Sequence, residues 1–236
     1  MLRTTTVLAA LIAALGCDST VSSDLTNDEL RLFAHADVDE LGNLDVVAQI
    51  TTDNPALLEE TFVDLIDGDA LSATLDGEEV TMAREWVPIV GLIQYRAQFE
   101  SVGGGEILSI DLERPSYGDI EDSWVEIPPP FELSMPASFS RSDYLVVEWT
   151  PVPATRSGLS LSGSCFDDSF QMDGNPGRIE LAPPRLSVPE GVDAQAQCEL
   201  DATLTVVNER SAAAGFGRGG RITAEQVRRS VVESTP

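Results

Sequence analysis

From residue 30 the chain alternates: Leu30, Leu32, Ala34, Ala36 and Val38 are apolar, with Arg31, Phe33, His35 and Asp37 between them. After a turn at Gly42-Asn43, Leu44, Val46, Ala48 and Ile50 resume the same spacing. A period of two puts every second side chain on one face of a pleated strand, so these segments predict two half-buried strands. Further strands are expected over 61–66, 70–75, 78–83, 94–100, 106–112 and 124–127, separated by turn formers such as Asp67-Gly68, Asp76-Gly77 and Tyr117-Gly118-Asp119. Asp-Gly predicts a tight hairpin, whose two central residues take positive φ. Residues 54–60 suit one helical turn. Short strands at this density over about 100 residues describe a β-sandwich.

Pro128, Pro129 and Pro130 interrupt the pattern, because each lacks the N–H that a ladder needs. A boundary is therefore expected near residue 138. Beyond it the pattern predicts strands over 144–149, 159–166, 177–181 and 195–207. The segment Tyr144-Leu145-Val146-Val147-Glu148-Trp149-Thr150-Pro151 resembles an early strand of fibronectin-type-III or immunoglobulin-like modules. That resemblance implies a tryptophan, Trp149, packed between sheets. Thr223 and Gln226 have capping-box spacing, which predicts a short helix over 223–229 before an edge strand over 230–234. The expected class is all-β: two immunoglobulin-like β-sandwich domains, 29–137 and 138–236.

Residues 1–17 read MLRTTTVLAALIAALGC. The apolar run from Val7 to Leu15 is too short to cross a hydrocarbon core, which takes about 20 residues. With Arg3 before it and small residues after it, it reads as a signal peptide. Ala14-Leu15-Gly16-Cys17 resembles the lipobox of bacterial lipoproteins. The resemblance implies a signal peptide over 1–16, cleavage before Cys17, diacylglycerol on the Cys17 thiol and acylation of the new amino group. The thiol is the nucleophile for lipid transfer, and Gly16 is small enough for the peptidase. Two or more acyl chains anchor stably, where one binds reversibly. The competing reading is signal peptidase I, whose small-x-small rule Ala14 and Gly16 also satisfy. Residues 17–28 are polar and read as a tether. Lipidation of Cys17 leaves Cys165 and Cys198, either as a disulfide permitted by an oxidising compartment or as two separate buried thiols.

Charge narrows the function classes. Forty acidic residues face 14 arginines, no lysine and one histidine, a net of -26. Nucleic-acid binding needs clustered cations that release counterions, so no nucleic-acid partner is expected. The same sign argument disfavours direct adhesion to anionic headgroups. The acidity supports solubility outside the cytoplasm, the binding of Ca²⁺ or life in high salt. Asp167, Asp168, Asp173 and Asn175 gather around Gly174 and form a weak candidate site for Ca²⁺, without EF-hand spacing. Asp64, Asp67 and Asp69 form a weaker cluster.

Gly215-Phe216-Gly217-Arg218-Gly219-Gly220 matches G-x-G-x-x-G, but the chain ends before the βαβ unit and later acid that a dinucleotide site needs, so it reads as a loop. His35 is the one imidazole available to any Ser-His-Asp or Cys-His site, and the alternation places it towards solvent. With so many acids, carboxylates close in sequence say little about glycosidase chemistry. Trp124 and Trp149 are expected in the core, and Trp86, beside Pro88, in a long loop. No catalytic residue and no firm cofactor is assigned. The chain reads as an exported, membrane-anchored envelope lipoprotein with a non-enzymatic binding or structural role, its partner an envelope protein or glycan. The alternatives are a surface hydrolase using Asp or Glu, and a Ca²⁺-dependent adhesion module.

Overall fold

The computed structural model describes residues 20–54, 59–88, 92–191, 193 and 195–236. The signal segment, Cys17 and residues 55–58 of the expected helical turn lie outside them. The chain forms β1 (Thr20–Val21), β2 (Arg31–Val38), β3 (Leu44–Asn54), β4 (Glu59–Asp64), β5 (Ala70–Leu75) and β6 (Glu78–Thr81). Next come β7 (Ala83–Val87), β8 (Leu92–Phe99), β9 (Ile107–Glu113), β10 (Ile120–Glu126), β11 (Leu133–Ser134) and β12 (Ser138–Ser140). The remainder comprises β13 (Leu145–Trp149), β14 (Arg156–Gly163), β15 (Phe166–Asp173), β16 (Arg178–Leu181), β17 (Cys198–Ser211) and β18 (Arg221–Thr235). The fold is all-β, as the alternation predicts. Asp76 and Gly77 both take positive φ, as a tight β5–β6 hairpin requires.

One long hairpin organises the molecule. β17 and β18 pair in unbroken antiparallel register from Cys198↔Ser234 to Ser211↔Arg221. β18 continues the sheet in parallel with β2, and β17 continues it through β14 to β15. Over one half of this sheet lies β10-β9-β5-β6, and over the other β11-β13-β16. The first core joins Leu32, Ala36 and Ile50 to Leu71, Leu108, Ile110 and Val125, and includes Phe216, Ile222 and Ala224 from the hairpin. The second joins Leu145, Val147 and Trp149 to Leu159, Phe170, Leu200, Leu204 and Val232. Even-numbered hairpin residues therefore face both cores from one side. The chain passes from the first core at Ile127 to the second at Phe131, while its last forty residues serve both.

The junction is tightly filled. Asn208 donates to the Glu126 carbonyl (2.9 Å), and Arg228 donates to the Phe131 carbonyl (3.1 Å) with its guanidinium over that ring. Gly104 has φ +86°, and a Cβ there would meet the Pro128 carbonyl oxygen at 2.7 Å and Pro130 Cδ at 2.9 Å. Only glycine fits both the angle and the space.

Three local expectations are corrected. The helix expected over 223–229 is the middle of β18. All of its residues find a ladder on β17, and 223–226 find a second on β2, pairing that outweighs a capping pattern no isolated turn could sustain. The strand expected over 159–166 is broken: β14 ends at Gly163 and the chain turns back into β15 at Phe166. A Cβ on Gly163 would collide with the Glu199 carbonyl oxygen, so glycine lets the turn sit close against β17. Trp86 is on edge strand β7 rather than in a loop, paired with Ile93 and 45% exposed.

Candidate functional site

The segment expected to be a free tether is fastened to the fold from Thr20 onward. Thr20 and Val21 pair in parallel with Val63 and Asp64, and Ser22 is buried. Arg114, fully buried, gathers the next residues: it donates to Asp69 (3.0 Å), Asn27 Oδ1 (2.8 Å), the Ser22 carbonyl (2.6 Å) and the Leu25 carbonyl (3.0 Å). The Tyr117 ring covers the guanidinium at 4.4 Å, and the Tyr117 hydroxyl donates to the Ser23 carbonyl (3.0 Å). A buried cation persists only when paired and fully hydrogen-bonded, which this arrangement supplies. The Glu29 carboxylate accepts the Thr26 N–H at 2.8 Å, and that bond holds its pKa below the ordinary value.

The outer face of the long sheet carries the one histidine. His35 lies between Thr223 and Val47 in register, its Nδ1 3.0 Å from Thr223 Oγ1 and its Nε2 3.3 Å from Glu225. The hydrogen bond to Glu225 raises its pKa. One step along, Glu225, Asp37 and Asp45 stand side by side across three strands, and Asp45 is clamped bidentately by Arg96. Burial raises the Asp37 carboxyl, and its Oδ1 has no partner among the described residues. A shallow depression of about 440 Å³ opens beside it, lined by Asp37, Asp39, Asp45, Gln98 and Glu100. Asp39 is committed to its own turn, accepting from Leu41 N, Asn43 N and Asn43 Nδ2, and the bonds from Asn43 lower its pKa. Around His35 the backbone N–H groups are spent in ladders to β18 and β3, so no pair of them is aimed at a reacting oxygen.

The residues singled out for Ca²⁺ are spread out along a strand. Asp167, Asp168 and Asp173 lie on edge strand β15, all exposed, with Asp167 and Asp168 on opposite faces by the strand period. The Asn175 side chain is spent elsewhere: its oxygen accepts the Trp149 indole N–H, and its amide donates to the Val152 carbonyl (2.9 Å). No group of three metal-ligating side chains occurs among the described residues. In the weaker cluster, Asp64 is held by Arg84 (2.6 Å) and Asp69 by Arg114, while Asp67 occupies a positive-φ turn position.

Cys165 and Cys198 form a disulfide with Cα atoms 6.1 Å apart. Buried Arg141 lies against it, donating to Ser234 Oγ (2.9 Å) and the Ala196 carbonyl (2.8 Å). The glycine-rich segment is a strap rather than a nucleotide loop. Phe216 plugs the first core, Gly217 N donates to the Leu30 carbonyl (2.6 Å), and Cβ atoms on Gly215, Gly217 and Gly220 would collide with Ile120, Asp28 and Leu32. Trp149 is in the second core as expected. Trp124 is half-buried on β10, with the Arg210 guanidinium 3.4 Å over its ring. Sequence reasoning missed both Arg114 and Arg141; the one available signal was a lone arginine at the end of an apolar strand, as in 107–114.

No protein-family model and no curated protein matches the chain. Among solved structures it is similar to the full ectodomain (Ig1–Ig3) of mouse nectin-like molecule 4, at 9% identity and a TM-score of 0.27, over 88% of this chain. The chain spans 65% of that ectodomain's length.

Proposed function

We propose that this chain is an exported lipoprotein of the bacterial cell envelope, acylated on Cys17, whose paired sandwiches serve a non-enzymatic binding or structural role. The observation that carries the reading is the sequence Leu15-Gly16-Cys17 at the end of a nine-residue apolar run. The Cys165–Cys198 disulfide supports an oxidising compartment. No helix among the described residues is long and apolar enough to cross a membrane, so the acyl chains would supply the attachment. The outer face of the long sheet, with its ionisable strip and shallow depressions, is the surface offered to a protein or glycan partner.

The test is the intact mass of the mature chain with its N-terminal peptide. Acylation predicts a lipid-bearing N-terminal Cys17 and complete recovery in the membrane fraction, both abolished by Cys17→Ser. An unmodified thiol at that residue sinks the proposal.

A further inference from the structure

Between Cys17 and Thr20 stand only Asp18 and Ser19. Three extended steps reach about 10 Å. Thr20 is already paired with Val63, and the carbonyl of Ser22 is held by Arg114, so the fold offers no further slack. A lipid on Cys17 thus draws one end of the first sandwich down to the bilayer.

Register shows which end this is. β1 runs parallel to β4, so the chain before Thr20 heads for the Glu59 end of β4 and the Asn54 end of β3. β8 is antiparallel to β3 and β7 is antiparallel to β8, so Leu92 and Val87 point the same way. Trp86 is next to that end, 45% exposed. Tyr117, 42% exposed, flanks the entering chain from the other sheet through its bond to Ser23. The third exposed large aromatic among the described residues, Tyr144, follows Arg141 at the opposite end of the molecule, where Arg141 N bonds the Thr235 carbonyl.

Trp and Tyr favour the headgroup zone, where the ring is buried and its N–H or O–H stays hydrogen-bonded. The whole-chain charge of -26 does not decide the matter, because charges beyond a screening length of about 8 Å are hidden. At this end Arg218 follows Gly217, which packs against Asp28, while the exposed carboxylates of Asp24, Asp28 and Asp119 flank the entering chain and Tyr117, so the surface suits a zwitterionic bilayer and not an anionic one.

We infer that the β1 end of the first sandwich is a lipid-contacting surface, seated on zwitterionic phospholipid headgroups with Trp86 and Tyr117 in the headgroup layer. The protein then stands on the membrane in one orientation, its second sandwich outward. This rests on acylation of Cys17.

The experiment uses the acylated mature chain in phosphatidylcholine vesicles containing a headgroup nitroxide lipid. A fluorophore is placed beside each aromatic through Pro88→Cys, Ser116→Cys or Asp143→Cys, all exposed positions. Quenching several-fold stronger at 88 and 116 than at 143 is expected. A Gly/Ser insertion of about ten residues between Ser19 and Thr20 then relaxes the link. Retained contrast supports contact by the surface itself, and Trp86→Ala with Tyr117→Ala in the inserted chain should remove it. Loss of contrast on insertion alone overturns the surface contact, as does equal quenching at the three sites in the uninserted chain. A chain with no lipid on Cys17 overturns the anchoring proposal and this orientation together, and its mass reveals that separately.

Discussion

The two sandwiches share a hairpin but close their far ends by different chemistry. The first is sealed where the chain enters: Arg114 draws Ser22, Leu25 and Asn27 onto Asp69, with every contact non-covalent. The second is sealed by the covalent bond from the β14–β15 turn to the start of β17, with Arg141 packed against it. The covering sheets differ. The first core lies under the four strands β10-β9-β5-β6, whereas the second lies under three, of which the outer strand β11 has only two residues. A core with a thin lid gains most from a cross-link that limits the unfolded chain.

The contrast can be broken from either end. Arg114→Met leaves the Asp69 carboxylate and two carbonyls buried without their cation, and is expected to cost about 3–5 kcal/mol in urea unfolding. Adding Asp69→Leu should return part of that, since the stranded charge is gone; no recovery would mean that the carbonyl bonds, not the ion pair, dominate. Replacing both Cys165 and Cys198 by Ala opens a bridge between residues 33 apart and should cost about 3–4 kcal/mol. Hydrogen exchange should then rise in β14 and β15 and stay unchanged in β2 and β3. Equal loss in both sandwiches would show that they unfold as one unit. Gly104→Val strikes the junction instead, forcing a side chain into a positive φ and against Pro128, for about 1–3 kcal/mol.

The smallest effect concerns pH. The pKa of His35 is raised by Glu225, so its contribution is complete below its ordinary value of 6.5 and fades as pH rises through the folded value. Asp37, raised by burial, has the same sign at lower pH: its contribution is complete below 3.8 and is lost as pH climbs. Half exposed, the His35–Glu225 pair is worth under about 1 kcal/mol. Stability should therefore gain slightly between pH 8 and pH 6, and Glu225→Gln should remove that gain. An unchanged pH profile in the variant would assign it to other groups.

Much of the first sandwich was legible because its strands are covered on one face only. Leu30 to Val38 and Leu44 to Ile50 alternate cleanly, and their expected strands stand where the pattern put them. Asp76-Gly77 announced its hairpin through backbone sterics alone. The acidic stretch after Cys165 misled, because a turn-like composition there belongs to an exposed edge strand, which charges protect from further pairing. Of the candidate functional features, the cysteine pair was legible through parity, whereas the row of Glu225, Asp37 and Asp45 was not, since it joins residues nearly 190 positions apart.

By itself the sequence determined the alternating strands of the first sandwich, the acidic character and the lipobox-like start, because each is written in neighbouring residues and their local sterics. Only the tertiary structure decided that β17 and β18 run through both cores, that residues 20–28 are bound rather than free, and that the glycine-rich strap closes the first core. Those outcomes depend on contacts between distant segments: a buried guanidinium finding Asp69, and a strand finding partners on both edges. Spacing along a chain does not encode which distant segment will satisfy a buried charge or an unpaired strand edge.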